Sequence, residues 1–157
     1  MFYRLYSPDD FAALYAIEEA CFEPALRFGR GYMRQLVNSS ATATWIADDE
    51  GRLAGFAIVE WTEEECSASG YIQTIEVAPA WRGRGVGGGL LDCLEGSARA
   101  ANATSILLHV NARNTPAYRL YEARGYVCVG REENYYGRGE GALIYRKLLV
   151  HDAEWAR

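Results

Sequence analysis

Residues 82–89 read RGRGVGGG, with five glycines and two arginines in eight positions, and lead directly into an apolar helical pattern. Each glycine inside a helix costs about 1 kcal/mol relative to alanine, so this composition does not serve helix stability. Bare backbone and positive charge at a helix start suit an anion instead, because the N–H groups of the first turn are free and the helix dipole favours negative charge. The segment therefore predicts a strand–loop–helix unit that binds a phosphate or pyrophosphate.

The residues around this loop exclude two common phosphate sites. Residues 83–88 formally satisfy GxGxxG, but a dinucleotide site also needs an acidic residue about 20 positions further on. No Asp or Glu occurs between Gly96 and Tyr121. A P-loop needs GK[ST], and no lysine precedes Lys147. A glycine-rich turn without a ligand remains the alternative at this point.

Composition indicates one globular domain over residues 1–150, followed by a tail at 151–157 that contains His151. A chain of 157 residues can bury about two-thirds of its unfolded surface. The net charge of −5 and the absence of a basic run argue against a nucleic-acid partner and slightly favour a cationic substrate. No apolar run reaches the ~18 residues that a membrane span needs. The scattered cysteines, without a CxxC pair, are interpreted as free thiols in a reducing cytosol: Cys21, Cys66, Cys93 and Cys128.

Periodicity predicts the element order β-α-α-β-β-β-α-β-α-β-β, a mixed α/β sheet with helices on both faces. The first strand is FYRLY. Ser7 is expected to cap a first helix that runs through FAALYAIEEACF and stops near Pro24. A second helix lies around GYMRQLVNSS, and the strands TATWIA and LAGFAIVEW flank a turn at Gly51. A further strand, YIQTIEV, ends at Pro79.

The second half of the chain continues the alternation. Apolar residues recur at helical spacing from Val86 onward, and SILLHVN follows as a buried strand. Asn114 is expected to cap the next helix, whose end is marked by Gly125. Two final strands, YVCVGREE and ALIYRKLL, flank a predicted loop at residues 134–137.

From about Gly70 to Leu149 the sequence resembles the GNAT-fold N-acetyltransferases, and more narrowly their RimI-like or protein N-alpha-acetyltransferase branch. Three motifs occur in the right order: TIEVAPAWRGRGVGGGLL, LHVNARNTPAYRLYEARGY and ENYYG. Residues 82–87 fit the family's (Q/R)xxGx(G/A) pyrophosphate loop. The resemblance implies the GNAT fold, with a mixed, mostly antiparallel central sheet and helices on both faces.

This resemblance also implies a function. It predicts a monomeric or dimeric cytoplasmic enzyme that transfers the acetyl group of acetyl-CoA to a primary amine, first of all the α-amine of a protein or peptide N-terminus. The alternatives are a small-molecule amine (polyamine, aminoglycoside or amino acid) and a non-catalytic acyl-CoA-binding module. By the same resemblance, the backbone N–H of Val77 polarises the thioester carbonyl. The implied cofactor-binding residues are Ile75, Val77, Arg82, Gly83, Arg84, Gly85, Val86, Gly87, Gly88, Asn114 and Tyr121.

Acetyl transfer to an amine needs a base for the amine proton, a donor for the carbonyl oxygen and an acid for the departing thiolate, but neither a metal nor a covalent nucleophile. The family's tyrosine at the position of Tyr121 is the acid. From spacing alone, Tyr121 is better explained as a core aromatic, and the resemblance reverses that preference. Histidine exchanges protons near neutral pH, which makes His109 the preferred base, directly or through a water, and a buried structural histidine is its alternative.

Two further residues bear on the base. A tyrosine at Tyr71 together with His109 resembles a subset of N-alpha-acetyltransferases in which such a pair holds a catalytic water. Glu76 is the rival base. On a strand, its side chain points to the face opposite those of Ile75 and Val77. Tyr71 has the same parity as Ile75 and Val77, so Glu76 is expected to face away from Tyr71.

The acceptor is expected between the first interhelical loop and the last hairpin. Aromatic walls with hydroxyl tips suit a peptide backbone and a small apolar first residue. The implied contacts are Phe22, Pro24, Tyr135 and Tyr136. Tyr135 and Tyr136 are equally explained as a cover for the hairpin, and residues 63–65 are interpreted as a solvated glutamate turn.

Overall fold

A computed structural model describes residues 1–64 and 67–149 of the chain. Glu65 and Cys66, which the sequence analysis assigned to a solvated turn and to a free thiol, and the tail with His151 lie outside the described residues. The elements follow the predicted order. They are β1 (Phe2–Leu5), α1 (Phe11–Cys21), α2 (Arg30–Asn38), β2 (Thr42–Asp49), β3 (Arg52–Glu64), β4 (Ser67–Val77), α3 (Val86–Ala100), β5 (Ala103–Asn111), α4 (Thr115–Ala123), β6 (Val127–Gly137) and β7 (Glu140–Leu148).

The strands form one seven-stranded sheet in the order β1-β2-β3-β4-β5-β7-β6. The pairs β1–β2, β2–β3, β5–β7 and β6–β7 are antiparallel. Strands β4 and β5 pair in parallel, from Ala68 opposite Ala103 to Ile72 opposite Leu108. A parallel pair needs a crossover connection, which helix α3 supplies. The predicted α/β class with a mixed, mostly antiparallel sheet is confirmed.

The chain divides into two compact units. The first comprises Met1–Glu60 and Gln73–Ser97, and the second comprises Trp61–Ile72 and the chain from Ala98 onward. In the first unit, α1 and α2 place their apolar faces on the inner side of β2 and β3, as the helical spacing of these residues requires. The buried cluster consists of Phe11, Leu14, Tyr15, Ile17, Met33, Leu36, Ile46, Phe56 and Ile58.

The first helix begins later than the sequence predicted. A 3₁₀ turn at Pro8–Asp10 precedes α1, which starts at Phe11. The Asp10 carboxylate accepts the Ser7 N–H at 2.8 Å and is also bound by the guanidinium of Arg4 at 2.8 and 2.9 Å. Arg4 also pairs with Asp48 on β2 at 3.0 Å. Asp10 therefore belongs to an ion-pair network with Arg4 and Asp48, at the point where the helix was expected to begin.

The last hairpin corrects a second prediction. Residues 134–137 are not a loop, because β6 continues to Gly137 and the turn lies at residues 138–139. Between the pairs Glu132–Ala142 and Gly137–Glu140, β6 advances five residues while β7 advances two. Asn134 accommodates this bulge with a left-handed φ of 59°, and its Oδ1 accepts the Gly139 N–H at 2.8 Å. Asparagine tolerates this conformation better than most residues.

The helix termini that flank the predicted site are confirmed. Helix α3 begins at Val86 and buries the apolar residues that its spacing selected. Asn114 caps α4 by accepting the Ala117 N–H at 3.3 Å, and Gly125 ends it with a φ of 86°. Within residues 1–64 and 67–149, no helix is long and apolar enough to cross a membrane.

Candidate active site

The glycine loop starts from a fixed point in the first unit. Strand β4 ends at Val77, and a 3₁₀ turn at Pro79–Trp81 follows. The indole N–H of Trp81 donates to Asp49 at 2.8 Å, and the guanidinium of Arg52 lies 5.0 Å from the indole ring centre. The β2–β3 hairpin therefore anchors the residue immediately before the loop.

The loop itself has the backbone of an anion site. Gly83 and Gly85 have φ values of 76° and 80°, and a Cβ atom at either would meet no atom within 4 Å. The first bond of α3 is donated by Gly89 N to Gly85 O at 3.1 Å. The N–H groups of Val86, Gly87 and Gly88 thus precede the first helical hydrogen bond. At Gly83 and Gly85 no Cβ obstructs the backbone, as a phosphate site at a helix start requires.

The two loop arginines differ in their contacts. Arg82 folds back on β4, where its Nε donates to Val77 O at 3.1 Å and its Nη2 to Cys21 Sγ at 3.3 Å. Arg84 is exposed. Gly89 has a packing role instead, because a Cβ there would overlap the ring of Tyr3. The glycine-rich segment therefore combines an open backbone with one close contact to β1.

Glu76 does not face solvent but a second carboxyl, that of Glu18 on α1. Both side chains are buried, with 3% and 1% of their surface exposed. Thr74 Oγ1 donates to Glu76 Oε2 at 2.7 Å, and the Phe28 N–H donates to Glu18 Oε1 at 3.3 Å. Burial and the neighbouring Glu18 raise the pKa of Glu76, and burial raises the pKa of Glu18. A carboxyl that holds its proton at neutral pH is a poor base.

This buried pair makes a stability prediction. Because its pKa is raised in the folded state, Glu76 keeps a proton that the unfolded chain releases above a pKa of about 4.3, so stability should fall as pH rises. We expect the free energy of unfolding to decline from pH 5 to pH 9, and Glu76→Gln to flatten that decline. Urea unfolding at three pH values measures it. The exposed Glu23→Gln should keep the wild-type slope, and an equal slope in Glu76→Gln would contradict the assignment.

In the second unit, Tyr71 and His109 are joined directly. Tyr71 pairs with Leu107 across β4–β5, and His109 lies two residues beyond Leu107, so both side chains share a face of the sheet. The Tyr71 hydroxyl and His109 Nδ1 are 2.8 Å apart. The predicted water between the two groups is not accommodated by this direct bond.

Tyr135 completes an aromatic enclosure around this pair. Its ring stacks on His109 at 4.3 Å and 7°, and its hydroxyl lies 3.5 Å from that of Tyr71. Tyr136 packs edge-on against Tyr135 at 4.8 Å. Burial, followed by Tyr135, raises the pKa of Tyr71, and burial raises the pKa of Tyr136 to about 12. Tyr71 therefore keeps its proton and donates it in the hydrogen bond to Nδ1.

Glu132 is a neighbour of His109 that no pattern in the sequence indicates. Its Oε2 lies 3.6 Å from His109 Nε2, on the opposite side of the ring from Tyr71. Glu132 and Tyr135 are three residues apart and would face opposite ways on a regular strand. The bulge at Asn134 brings both to His109. A prediction that placed residues 134–137 in a loop could not reveal this.

Tyr121 lies on the buried side of α4. Its ring contacts those of Tyr126 at 5.8 Å and Tyr145 at 6.5 Å. Burial and the nearby Tyr136 raise the pKa of Tyr121, so the phenol is a proton donor at every pH near neutrality. The residue is thus a member of an aromatic cluster and also keeps a proton available. Its role as an acid stays a prediction.

The predicted acceptor residues of the first unit lie on the surface directly after α1. Phe22 and Pro24 are exposed, and the guanidinium of Arg27 closes their loop by donating to Phe22 O at 3.0 Å and Glu19 O at 3.2 Å. Their contact with an acceptor stays a prediction. The described residues contain no group of three or more potential metal ligands, and their cysteines are free thiols: Cys21, Cys93 and Cys128.

Comparison with known proteins decides the family. The model of the Acetyltransferase (GNAT) family matches residues 11–126. The chain belongs to this family. The fold of this GNAT protein is similar to that of the ribosomal-protein-S18-alanine N-acetyltransferase from Escherichia coli, with a TM-score of 0.84, 22% identity and coverage of 98% and 97% of the two chains. It is also similar to Arabidopsis thaliana NAA60, solved in complex with acetyl-CoA, with a TM-score of 0.83, 22% identity and coverage of 94% and 98%. The predicted GNAT fold is confirmed.

Two curated relatives differ in the acceptor that their names indicate. The catalytic subunit NAA20 of the N-terminal acetyltransferase B complex from Arabidopsis thaliana is 32% identical over 111 residues, which cover 69% of this chain and 64% of the relative. Streptothricin acetyltransferase from Streptomyces lavendulae is 35% identical over 98 residues, or 60% of this GNAT chain and 51% of the relative. The matches thus span between half and two-thirds of each relative's length.

Proposed function

We propose that this GNAT protein transfers the acetyl group of acetyl-CoA to the α-amine of a protein or peptide N-terminus. The observation that carries the proposal is the hydrogen-bonded pair of Tyr71 and His109, enclosed by Tyr135. A proton-accepting pair beneath aromatic side chains suits an amine that must lose a proton before it attacks. The named N-terminal acetyltransferase relative supports the same acceptor class.

The glycine loop binds the cofactor in this proposal. Acetyl-CoA supplies an acetyl group activated as a thioester. The N–H groups of Val86, Gly87 and Gly88 and the left-handed Gly83 and Gly85 hold its pyrophosphate. The remaining cofactor contacts proposed from the family resemblance are Ile75, Val77, Arg82, Arg84, Asn114 and Tyr121.

His109 acts as the base through Tyr71. An α-ammonium has a pKa of about 7.7–8.0, so most of the acceptor is protonated at neutral pH and must release a proton. The Tyr71 hydroxyl receives that proton and passes its own to His109 Nδ1, 2.8 Å away. The amine nitrogen then forms its bond to the acetyl carbon as the carbon–sulfur bond breaks. The second proton that the nitrogen loses passes to solvent, which in turn restores the proton that Tyr121 gives to the thiolate. Glu76 is not the base in this scheme, because it is buried against Glu18 and holds its proton.

Tyr121 supplies the proton that the departing thiolate needs. We expect Tyr121→Phe to lower kcat by about 10- to 100-fold, because general-acid groups contribute about 10²- to 10⁴-fold and a water can replace part of this. Steady-state thiol release measures the effect. Tyr145→Phe removes a hydroxyl from the same aromatic cluster and should leave kcat near the wild-type value. Equal rates in the two variants would contradict the assignment of the acid.

The proposal extends to the residues that contact the acceptor peptide and to a cytoplasmic location. Phe22 and Pro24 in the first unit, and Tyr135 and Tyr136 in the second, are the proposed contacts to the peptide. The three free thiols of the described residues support a cytoplasmic location, because unpaired cysteines are typical of reducing compartments.

A panel of acceptors tests the function. Purified protein is mixed with acetyl-CoA and short peptides that differ in their first residue, their N-terminally blocked counterparts, spermidine, lysine and an aminoglycoside. Thiol release, checked by mass, is expected only with peptides that have a free α-amine. Turnover confined to spermidine, lysine or the aminoglycoside would establish a small-molecule enzyme. A rise in melting temperature with acetyl-CoA but no turnover would indicate a binding module.

A further inference from the structure

We propose that Glu132 is a positioning residue for His109: its carboxylate faces the Nε2–H of the imidazole and balances the charge that forms when Nδ1 takes a proton. The distance from Glu132 Oε2 to His109 Nε2 is 3.6 Å. The catalytic consequence rests on the proposed function. The effect of Glu132 on the imidazole itself does not.

The two ring nitrogens of His109 have different surroundings. Nδ1 is bonded to the Tyr71 hydroxyl at 2.8 Å, whereas Nε2 is buried and has no hydrogen-bond partner within 3.5 Å among the described residues. The stacked ring of Tyr135 restricts rotation of the imidazole, so Nε2 stays directed toward Glu132. A neutral histidine that accepts at Nδ1 must carry its proton on Nε2. The carboxylate stabilises that form.

The other groups that face His109 do not supply a balancing charge. Tyr71 approaches from β4 and Tyr135 from β6, and Tyr136 packs against Tyr135. All three are phenols, which are neutral near pH 7. Glu132 on β6 carries the negative charge. Its side chain is 53% exposed, against 18% for His109, so solvent weakens the interaction without removing it.

The proton balance gives Glu132 a defined part in the reaction. When the amine proton moves to Tyr71 and the Tyr71 proton to Nδ1, the imidazole becomes a cation with protons on both nitrogens. The carboxylate then faces a full positive charge at Nε2 rather than an N–H dipole. Its interaction is stronger after proton transfer than before, which is the requirement for lowering a barrier.

The test follows the imidazole directly. In ¹⁵N-labelled protein, the chemical shifts of His109 are followed against pH in the wild type, Glu132→Ala and Glu133→Ala. His151→Gln assigns the second histidine. Glu133 is the matched control, because it neighbours Glu132 and carries the same charge but pairs with Arg131 at 2.7 Å. At neutral pH we expect the share of His109 that carries its proton on Nε2, read from the ¹⁵N shifts of the two ring nitrogens, to fall in Glu132→Ala, with Glu133→Ala close to the wild type.

Kinetics provide the second readout. We expect kcat to fall by about 10-fold in Glu132→Ala with little change in KM, since an orienting group gives part of the 10²- to 10⁴-fold that a base contributes. Equal ¹⁵N shifts of the His109 ring nitrogens in the two alanine variants would overturn the proposal. A selective change of these shifts in Glu132→Ala without turnover of any acceptor would retain the role of Glu132 and reject the proposed function.

Discussion

His109→Ala is expected to lower kcat by at least about 100-fold, because a general base contributes about 10²- to 10⁴-fold to proton transfer. The alanine removes Nδ1, which accepts from Tyr71 at 2.8 Å, and also the surface on which Tyr135 stacks. The rise in melting temperature caused by acetyl-CoA should remain, because the glycine loop is untouched. Thiol-release assays measure the loss of kcat, and thermal unfolding with and without acetyl-CoA measures the retained stabilisation.

A double-mutant comparison sharpens this prediction. If Tyr71 and His109 pass one proton along one path, Tyr71→Phe and His109→Ala should each lower kcat by nearly the same factor as the double variant does. Tyr118→Phe is the matched control, since its hydroxyl accepts a hydrogen bond from Thr115 at 3.2 Å on α4. Near wild-type rates in both single variants, or losses that multiply independently, would show that the two side chains do not form the base.

Gly85→Ala is expected to abolish most of the acetyl-CoA-dependent stabilisation. At a φ of 80° an alanine costs about 1–2 kcal/mol, and its methyl group occupies the open space above the backbone that a phosphate would need. A ligand at 100 times its dissociation constant stabilises a protein by about 2.7 kcal/mol, which is a readily measured rise in melting temperature. Thermal unfolding with and without acetyl-CoA measures the loss.

Gly96→Ala is the control for this experiment. Gly96 lies inside helix α3 with open space at its Cβ position, so the same chemical change should stabilise the protein by about 1 kcal/mol. The shift caused by acetyl-CoA should be unaffected. If Gly85→Ala retains the full shift, the loop is not the phosphate site and the anion must bind elsewhere.

The element order and the loop backbone were predictable because each rests on local physical chemistry. Helical and alternating periods depend on neighbours within the chain, and Asn114 and Gly125 mark helix ends by rules that need no tertiary information. The shared face of Tyr71 and His109 also follows from strand parity once β4 and β5 are paired in parallel, whereas the direct bond between them takes the place of the expected water.

The contacts of Glu76 and Glu132 were not predictable, because each depends on a partner distant in sequence. Glu76 meets Glu18 only when α1 packs on the sheet, and nothing in the alternation of β4 indicates that the opposite face is occupied by a second carboxyl. Glu132 reaches His109 in register with β7, while the bulge after it brings Tyr135 to the same ring. The left-handed Asn134 and the bulge around it therefore account for the position of Tyr135, which a loop over residues 134–137 could not predict.

The left-handed angle at Asn134 has a consequence for how such a sheet diversifies. The left-handed residue shifts the phase of the β6 pattern, so the number of residues in this segment decides which of Tyr135 and Tyr136 stands over the imidazole. Removing one residue there would exchange the two tyrosines, while the pairing of β7 with β5 stayed as it is. If Tyr135 and Tyr136 contact the acceptor as proposed, a change of length in this hairpin would alter that contact while the bond between Tyr71 and His109 stayed in place.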